Sequence, residues 1–376
     1  MEKAKIQLSH ISKSFPGVKA LCDISLFLRE GEVVSLVGEN GAGKSTLINI
    51  MTGQFRQDEG EMYKDGEKVE FHSPNDAVAR GIGLVPQELN LIPQLSVAEN
   101  IFLGVKKVKN IFPHPIDWED IYKSAEEILE VLGIGLDVRA EVGDMSVANQ
   151  QLVQIARAVS QGAEVLIFDE PTACLTVNET ERLLSLIKKF RSEGKTIVFV
   201  SHHLEEVVAL SDRVAVMRDG CLIEVLERSE FDPQRLINGM VGREVKQNEI
   251  LRREVKSEKK ILEVKDLTRQ KEFEHINFSV LEGEIFGIAG LVGAGRTELV
   301  STIFGSRRAD EGEVLLEGKA VCFRDPKQAI AAGLGYVPEE RRNYGILPGM
   351  SIRENLTIAG IRKLFRFPAI DRKRED

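Results

Sequence analysis

The sequence predicts an α/β protein built on a largely parallel sheet, followed by a second, partial copy of the same pattern. Three observations carry this expectation. Short apolar runs such as Val33–Val37, Val165–Phe168 and Thr196–Val200 alternate with helical stretches of about 10–15 residues, the rhythm of βαβ units. The first of these runs leads directly into Gly38-Glu39-Asn40-Gly41-Ala42-Gly43-Lys44-Ser45-Thr46, so strand, glycine loop and helix follow in succession. Glycines and prolines then recur at a constant spacing of 252 residues: Gly31 with Gly283, Gly38 with Gly290, Gly60 with Gly312, Gly81 with Gly333, Pro74 with Pro326, and Pro86 with Pro338. Self-similarity of this kind marks a duplicated domain.

The glycine loop is the most specific element. Glycines at 38, 41 and 43 let backbone N–H groups turn inward around an anion, and the helix start adds its positive end. Lys44 is placed to reach the β- and γ-phosphates of a nucleoside triphosphate, and the Ser45 hydroxyl to sit on Mg²⁺. A chance glycine-rich turn does not come with a buried strand before it and an apolar helix after it.

Composition bounds the rest. At 376 residues the chain has room for two or three cores. It is 43% hydrophobic and 29% charged, ordinary for a globular protein. No apolar run approaches the roughly 20 residues that span a bilayer, and Met1–Lys5 lacks a signal-peptide core. Cys22, Cys174, Cys221 and Cys322 are scattered and read as reduced thiols of a cytosolic protein. A formal net charge of −9 argues against nonspecific nucleic-acid binding.

Taken in order, residues 5–37 alternate apolar and polar as half-buried strands do, around the turn Ser14-Phe15-Pro16-Gly17. Phe15 either stacks on a purine face or packs on the core. Asp65-Gly66 suggests a hairpin. Leu84-Val85-Pro86-Gln87 is a short strand ending in an amide that either meets a metal or attacking water or is merely solvated. Residues 117–132 form an amphipathic helix, with Trp118, Ile121, Tyr122, Ala125, Ile128, Leu129 and Leu132 on one face, Asp117 as N-cap and Gly133 as stop. Ser146 to Gln150 opens another helix, either as an anion-binding end or as an ordinary N-cap. Val165–Phe168 delivers Asp169-Glu170 to a strand end, where ligands of open parallel sheets bind. Asp169 is placed to hold Mg²⁺ through water, and Glu170 to orient or deprotonate an attacking water. The next strand ends in Ser201-His202-His203; one histidine, His202 rather than its neighbour, is expected to contact the γ-phosphate. Residues 243–260 are densely charged, a linker or a solvated helix. The expected organisation is therefore 1–245 for the first domain, 246–260 for the linker and 261–376 for the second copy.

The second copy differs where chemistry is concerned. Its loop runs Gly290-Leu291-Val292-Gly293-Ala294-Gly295-Arg296-Thr297, and the planar fork of Arg296 does not replace the point charge of lysine. The segment equivalent to Phe15 is shortened, Glu339 stands opposite Gln87, and three extra residues follow at Arg341–Gly345. Nothing equivalent to Ser146, Asp169-Glu170 or His202 recurs before Asp376.

Together these segments resemble the ATP-binding cassette family across essentially the whole chain. Gly38–Thr46 is similar to its Walker A motif, Gln87 to the Q-loop, Ser146–Gln150 to the signature, Leu166–Glu170 to Walker B, Ala173–Thr176 to the D-loop and His202 to the switch histidine. Ser12–Leu21, Gly290–Glu298 and Val337–Arg342 resemble the fused double ATPases of bacterial monosaccharide importers, of the ribose, galactose and xylose type. The departures are Ala148-Asn149 in the signature, Cys174 in place of a usual alanine, and the partial second cassette. The resemblance implies a cassette with a helical subdomain that binds ATP and Mg²⁺. It implies nucleotide contacts from Phe15, Gly38, Asn40, Gly41, Gly43, Lys44, Ser45, Thr46, Ser146 and Gln150. It also implies metal contacts from Ser45, Gln87 and Asp169, and catalysis by Glu170, His202 and Gln87.

Partners implied by the resemblance are a transmembrane permease and, indirectly, a periplasmic sugar-binding protein, with the chain on the cytoplasmic face of the inner membrane. Cassettes of this family pair head to tail, each ATP lying between one Walker A and the opposite signature. Either two copies of this chain pair through their first halves, or the chain is a fragment or shortened homologue. A soluble cassette protein acting on ribosomes or nucleic acid and a non-hydrolysing regulatory module are the other readings.

Overall fold

The computed structural model describes residues 4–104, 117–242, 257–290, 293–338, 345–366, 369–370 and 372–375. They form two compact units, Met1–Ile250 and Leu251–Asp376. The charged stretch expected as a linker lies mostly outside the described residues, as do Leu291, Val292 and the segment from Glu339 to Tyr344.

In the first unit, β1 (Ala4–Phe15) and β2 (Val18–Arg29) pair with β4 (Glu59–Lys64) and β5 (Glu67–Val69) in an antiparallel sheet ordered β2-β1-β4-β5. The sequence alternation was enough to predict these strands, but not that they form a sheet of their own. The Asp65-Gly66 turn joins β4 to β5 with both residues at positive φ, 53° and 84°, the backbone of a type I′ hairpin.

The second sheet has the order β10-β9-β3-β8-β7-β6, built from β3 (Val33–Val37), β6 (Ile82–Val85), β7 (Val165–Asp169), β8 (Thr196–Val200), β9 (Arg213–Arg218) and β10 (Cys221–Glu227). All neighbours are parallel except β9 and β10. The strand residues alternate between two cores. Val34, Leu36, Val165, Ile167, Val198 and Val200 face a cluster with Ile6, Leu8 and Ile24 of the antiparallel sheet and with Leu47 and Ile50 of α1 (Lys44–Met51). Val33, Leu166, Phe168, Ile197 and Phe199 face the opposite cluster.

That opposite cluster is the helical layer: α3 (Val97–Phe102), α4 (Trp118–Leu132), α5 (Val147–Ser160) and α6 (Val177–Ser192), through Ile101, Leu129, Val153 and Leu186. Burial on both faces explains why these strands are continuous apolar runs. Among the described residues of the unit the remaining α-helices are α2 (Pro74–Ala79), α7 (Leu204–Leu210) and α8 (Pro233–Val241).

Helix α4 has the expected N-cap, with Asp117 accepting from the Asp120 N–H, and Gly133 stops it at φ 72°. Trp118 departs from the expected core face. It stands 42% exposed in the first turn and stacks on Tyr122 at 6.2 Å, because the helix meets the layer only from Ile121 and Tyr122 onward, with Ala125, Leu129 and Leu132 buried in it.

The second unit repeats the antiparallel sheet. Strands β11 (Lys260–Arg269), β12 (Phe273–Leu281), β13 (Glu311–Leu316) and β14 (Lys319–Val321) stand in the order β12-β11-β13-β14. Helices α9 (Arg296–Ile303), α10 (Pro326–Ala331) and α11 (Ile352–Thr357) follow the spacing of α1, α2 and α3. Residues 284–290 and 334–338 are not in strands. Ile285 and Val337 are 95% and 92% exposed, whereas their counterparts Val33 and Val85 are fully buried. In the first unit those positions are enclosed by β8, β9 and β7. Among the described residues of the second unit no strand takes that place.

An ion-pair group joins the antiparallel sheet to the start of β7. Lys5 and Lys64, both nearly buried, reach Glu164 at 2.8 and 2.9 Å and share Asp65. Hydrogen bonds from Lys5 and then Lys64 hold the Glu164 carboxyl below its ordinary range. A carboxyl depressed in the fold stabilises above its unfolded value, about 4.3, and that contribution is lost as pH falls through the folded value. Glu164→Gln should therefore cost about 1 kcal/mol at pH 7, since the carboxylate is half exposed and screened. In urea titrations the difference from wild type should shrink as pH falls below about 4.3 and vanish only once pH lies below the depressed folded value.

Candidate functional site

Four parallel strands deliver their carboxyl ends to one edge of the six-stranded sheet: β3 leads to the glycine loop, β6 to Gln87, β7 to Asp169-Glu170, and β8 to Ser201-His202. This is where ligands bind in open α/β sheets.

The loop after β3 is shaped by contact as much as by conformation. A Cβ on Gly38 would lie 2.3 Å from the Met217 carbonyl oxygen, and one on Gly43 would lie 2.7 Å from that of Ala20. Gly43 caps α1 at φ 98°, a conformation side chains resist. The first amides of α1 have no partner within the helix and open onto the loop. Lys44 is 8% exposed, and its Nζ donates to the loop's own carbonyls of Gly38 at 2.7 Å and Glu39 at 3.1 Å. Burial pushes its ammonium down from the ordinary lysine value, while Glu170 and Asp169 hold it back. Ser45, Asn40 and Gly41 are exposed and Thr46 is half-buried.

Opposite lies the acidic pair. Burial, then the neighbouring Glu170, pushes the Asp169 carboxyl up, and Lys44 opposes both. Glu170 sits at φ 47° with its N–H donating to the Val200 carbonyl at 2.9 Å. A glutamate in the left-handed region stores of the order of 1–3 kcal/mol of strain. The turn aims its side chain at two neighbours: Gln87 Nε2 donates to Glu170 Oε2 at 3.0 Å, and His202 Nδ1 lies 3.6 Å from the same oxygen. His203 does not join them; its ring packs on that of His202 at 4.2 Å.

The structure thus gathers Lys44, Gln87, Asp169, Glu170 and His202. Three other expected residues stand apart from this group. Phe15 is 37% exposed at the β1–β2 turn, edge-on to Phe55 at 5.4 Å with Lys13 Nζ 5.7 Å from its ring centre. Asp58 pins this turn by accepting from Lys13 Nζ and the Ser14 N–H, both at 2.7 Å. Ser146 caps α5 by accepting from the Asn149 N–H, and Gln150 turns back to donate to the Met145 carbonyl at 3.0 Å.

Two residues of α5 were not anticipated. Gln154 Nε2 donates to the Glu88 carbonyl at 3.1 Å, and Arg157 Nη1 to that of Asn90 at 3.4 Å, so the helix that begins at Ser146 holds the loop beyond Gln87. A glutamine in an amphipathic helix gives no sequence signal of this. Glu339, the expected counterpart of Gln87 in the second unit, lies outside the described residues. Arg296 is exposed at the start of α9.

Among the described residues no group of three or more His, Cys, Asp or Glu is placed to hold a metal, and no helix is long and apolar enough to cross a membrane. Mg²⁺ needs no such protein cage, because it binds through one or two carboxylates together with phosphate oxygens and water. Asp169, half-buried beside a like charge, and the Ser45 hydroxyl fit that requirement.

The model of the ABC transporter family matches residues 21–173 and 273–376. The ribose import ATP-binding protein RbsA of Caldanaerobacter subterraneus subsp. tengcongensis is 44% identical over 359 residues, 96% of this chain and 72% of that protein. The protein of the same description from Chromobacterium violaceum is 43% identical over 372 residues, 99% of this chain and 73% of its own length. Among solved structures, the ADP conformation of the cassette MJ1267 superposes with a TM-score of 0.56 at 26% identity, covering 64% of this chain and 99% of that one. The dimeric post-hydrolysis state of MJ0796 bound to ADP and Pi gives 0.53 at 29% identity, covering 60% of this chain and all of the other.

Gly43→Ala should meet both the positive φ and the Ala20 carbonyl. It should weaken binding of a fluorescent ATP analogue about 5–30-fold, in line with a conformational cost of about 1–2 kcal/mol. The loop geometry, the acidic strand end and these likenesses agree: the chain belongs to the ABC transporter family and carries its ATPase cassette.

Proposed function

We propose that the first unit binds Mg-ATP and hydrolyses it to drive uptake of a monosaccharide through a separate membrane permease. A periplasmic binding protein supplies the sugar, and this chain works at the cytoplasmic face of the inner membrane. The carrying observation is the convergence of Gln87 and His202 on a single oxygen of Glu170, beside Lys44 and Asp169. The names of the relatives, ribose import ATP-binding proteins, support the substrate class.

In this reading the loop amides and Lys44 cradle the phosphates, and Lys44 exchanges its bonds to Gly38 and Glu39 for bonds to the nucleotide. Ser45, Asp169 and Gln87 would hold Mg²⁺, which when bound would supply charge neutralisation to the phosphates. Glu170 orients the attacking water and takes its proton. His202 and Gln87 keep that carboxylate aimed and sense the γ-phosphate. Phe15 offers its open face to the adenine, with Phe55 behind it. Ser146 and Gln150 serve the nucleotide held by a facing cassette, which makes a second copy of this chain one partner to test.

Glu170→Gln should bind ATP within about twofold of wild type while kcat falls about 10²–10⁴-fold, the usual worth of a positioned base. Rapid turnover by that variant would remove Glu170 from the role. Specific activity of the wild-type chain should rise with protein concentration if first units face each other between copies, with Lys44→Ala as the inactive control. Bound ATP without turnover at any concentration would place the facing signature elsewhere.

A further inference from the structure

We propose that Glu206 is a positioning residue that sets the separation of Glu170 and His202; the inference rests on the hydrolytic reading of the first unit. Glu206 lies on α7, behind both strand-end loops of the site. Its Oε2 accepts two hydrogen bonds, from Thr172 Oγ1 at 2.9 Å and from Ser201 Oγ at 2.8 Å. Thr172 stands two residues after Glu170, and Ser201 directly precedes His202. The two hydroxyls are 5% and 2% exposed by residue.

One carboxylate oxygen therefore joins the loop that carries the base to the loop that carries the histidine. The chemistry makes the joint directional. Each hydroxyl has a single proton and gives it to Glu206, which leaves the Ser201 oxygen as an acceptor. It accepts from the His203 N–H at 3.0 Å, so the carboxylate fixes backbone on the far side of His202. A second tie, from the Glu170 N–H to the Val200 carbonyl at 2.9 Å, closes the same two loops one step nearer the site. Glu170 is itself an end of the second tie, and His202 lies between Ser201 and His203, which the first tie joins. A residue at φ 47° persists only where its surroundings over-determine it, and the two ties are what over-determine Glu170. Glu206 acts through Thr172 and Ser201, each a residue or two from the groups it positions.

The test compares Glu206→Ala, Glu206→Gln and His202→Ala in the full chain with Mg-ATP. Glu206→Ala should lower kcat about 10–100-fold, the cost of a small misplacement, with KM and fluorescent-nucleotide affinity within about twofold. Glu206→Gln keeps an acceptor oxygen and should return to within about fivefold of wild type. Added to His202→Ala, Glu206→Ala should cost clearly less than its own single loss, because residues acting as a unit are not additive. Independent, multiplying losses would make Glu206 a mere fold residue and overturn the proposal.

A readout without turnover stands beside it. In the nucleotide-free chain, amide exchange at His203 should accelerate at least about tenfold in Glu206→Ala and little in Glu206→Gln. Unchanged exchange there overturns the proposal whether or not the chain hydrolyses ATP. Should Glu206→Ala not fold, Ser201→Ala and Thr172→Val each remove one arm and should each lower kcat about 3–10-fold. Wild-type rates in both variants would overturn it equally.

Discussion

Everything in the first unit depends on the buried parallel ladder β9-β3-β8-β7-β6 and on where its strands stop. Val33–Val37, Val165–Phe168 and Thr196–Val200 are buried throughout, and burial on two faces leaves such strands almost no freedom of register. A slip of one residue would move Phe168 and Phe199 from the helical core to the opposite one, and Ile167 and Val198 the other way. Each buried side chain of this size contributes about 1.5–3 kcal/mol, so the observed register wins decisively. Because register is fixed, so is the line of strand ends. The phosphate loop, the acidic pair and the histidine meet without any of them having to contribute to stability.

The site itself is held at a net cost. Lys44 is buried with its charge turned onto backbone carbonyls, Asp169 is half-buried beside Glu170, and Glu170 occupies a strained backbone conformation. Each departs from what folding alone would favour, and the departures sit within a few residues of one another. Functional sites store strain in this way, and the surrounding ladder supports it. The clustering of perturbed groups is itself a pointer to chemistry.

How much of this was legible in the sequence follows a physical division. Motifs whose meaning lies in backbone conformation and strand-end placement could be read directly: the glycines before Lys44, the apolar run into Asp169-Glu170, and the caps Asp117 and Gly133. Contacts made by side chains across the fold could not. Gln154 looks like any helical glutamine until Glu88 is found above it, and the separate antiparallel sheet is set by pairing of β1 with β4 that no local pattern encodes. Trp118 was misjudged because periodicity assigns a face to a whole helix, whereas packing assigns it turn by turn. A pair in the bulges is another case. His10 bonds Asp23 at 2.6 Å in the first unit, and Asp266 bonds His275 at 2.8 Å in the second, with all four residues at positive φ. Histidine and aspartate have changed places, so residue-by-residue comparison of the copies hides an interaction that the structure keeps.

The two glycine loops make the same point in reverse. Gly43 and Gly295 both cap their helices at positive φ, and a Cβ on either would strike a backbone carbonyl, that of Ala20 or that of Glu272. The turn into the helix is therefore common to both. The charge it presents is not: Lys44 is buried on Gly38 and Glu39, whereas Arg296 stands exposed. A capping turn that stands without a buried cation is held by packing against the antiparallel sheet, not by a phosphate. The fold constraint and the chemical constraint on this motif are thus separable, and only in the first unit do both act on the same residues.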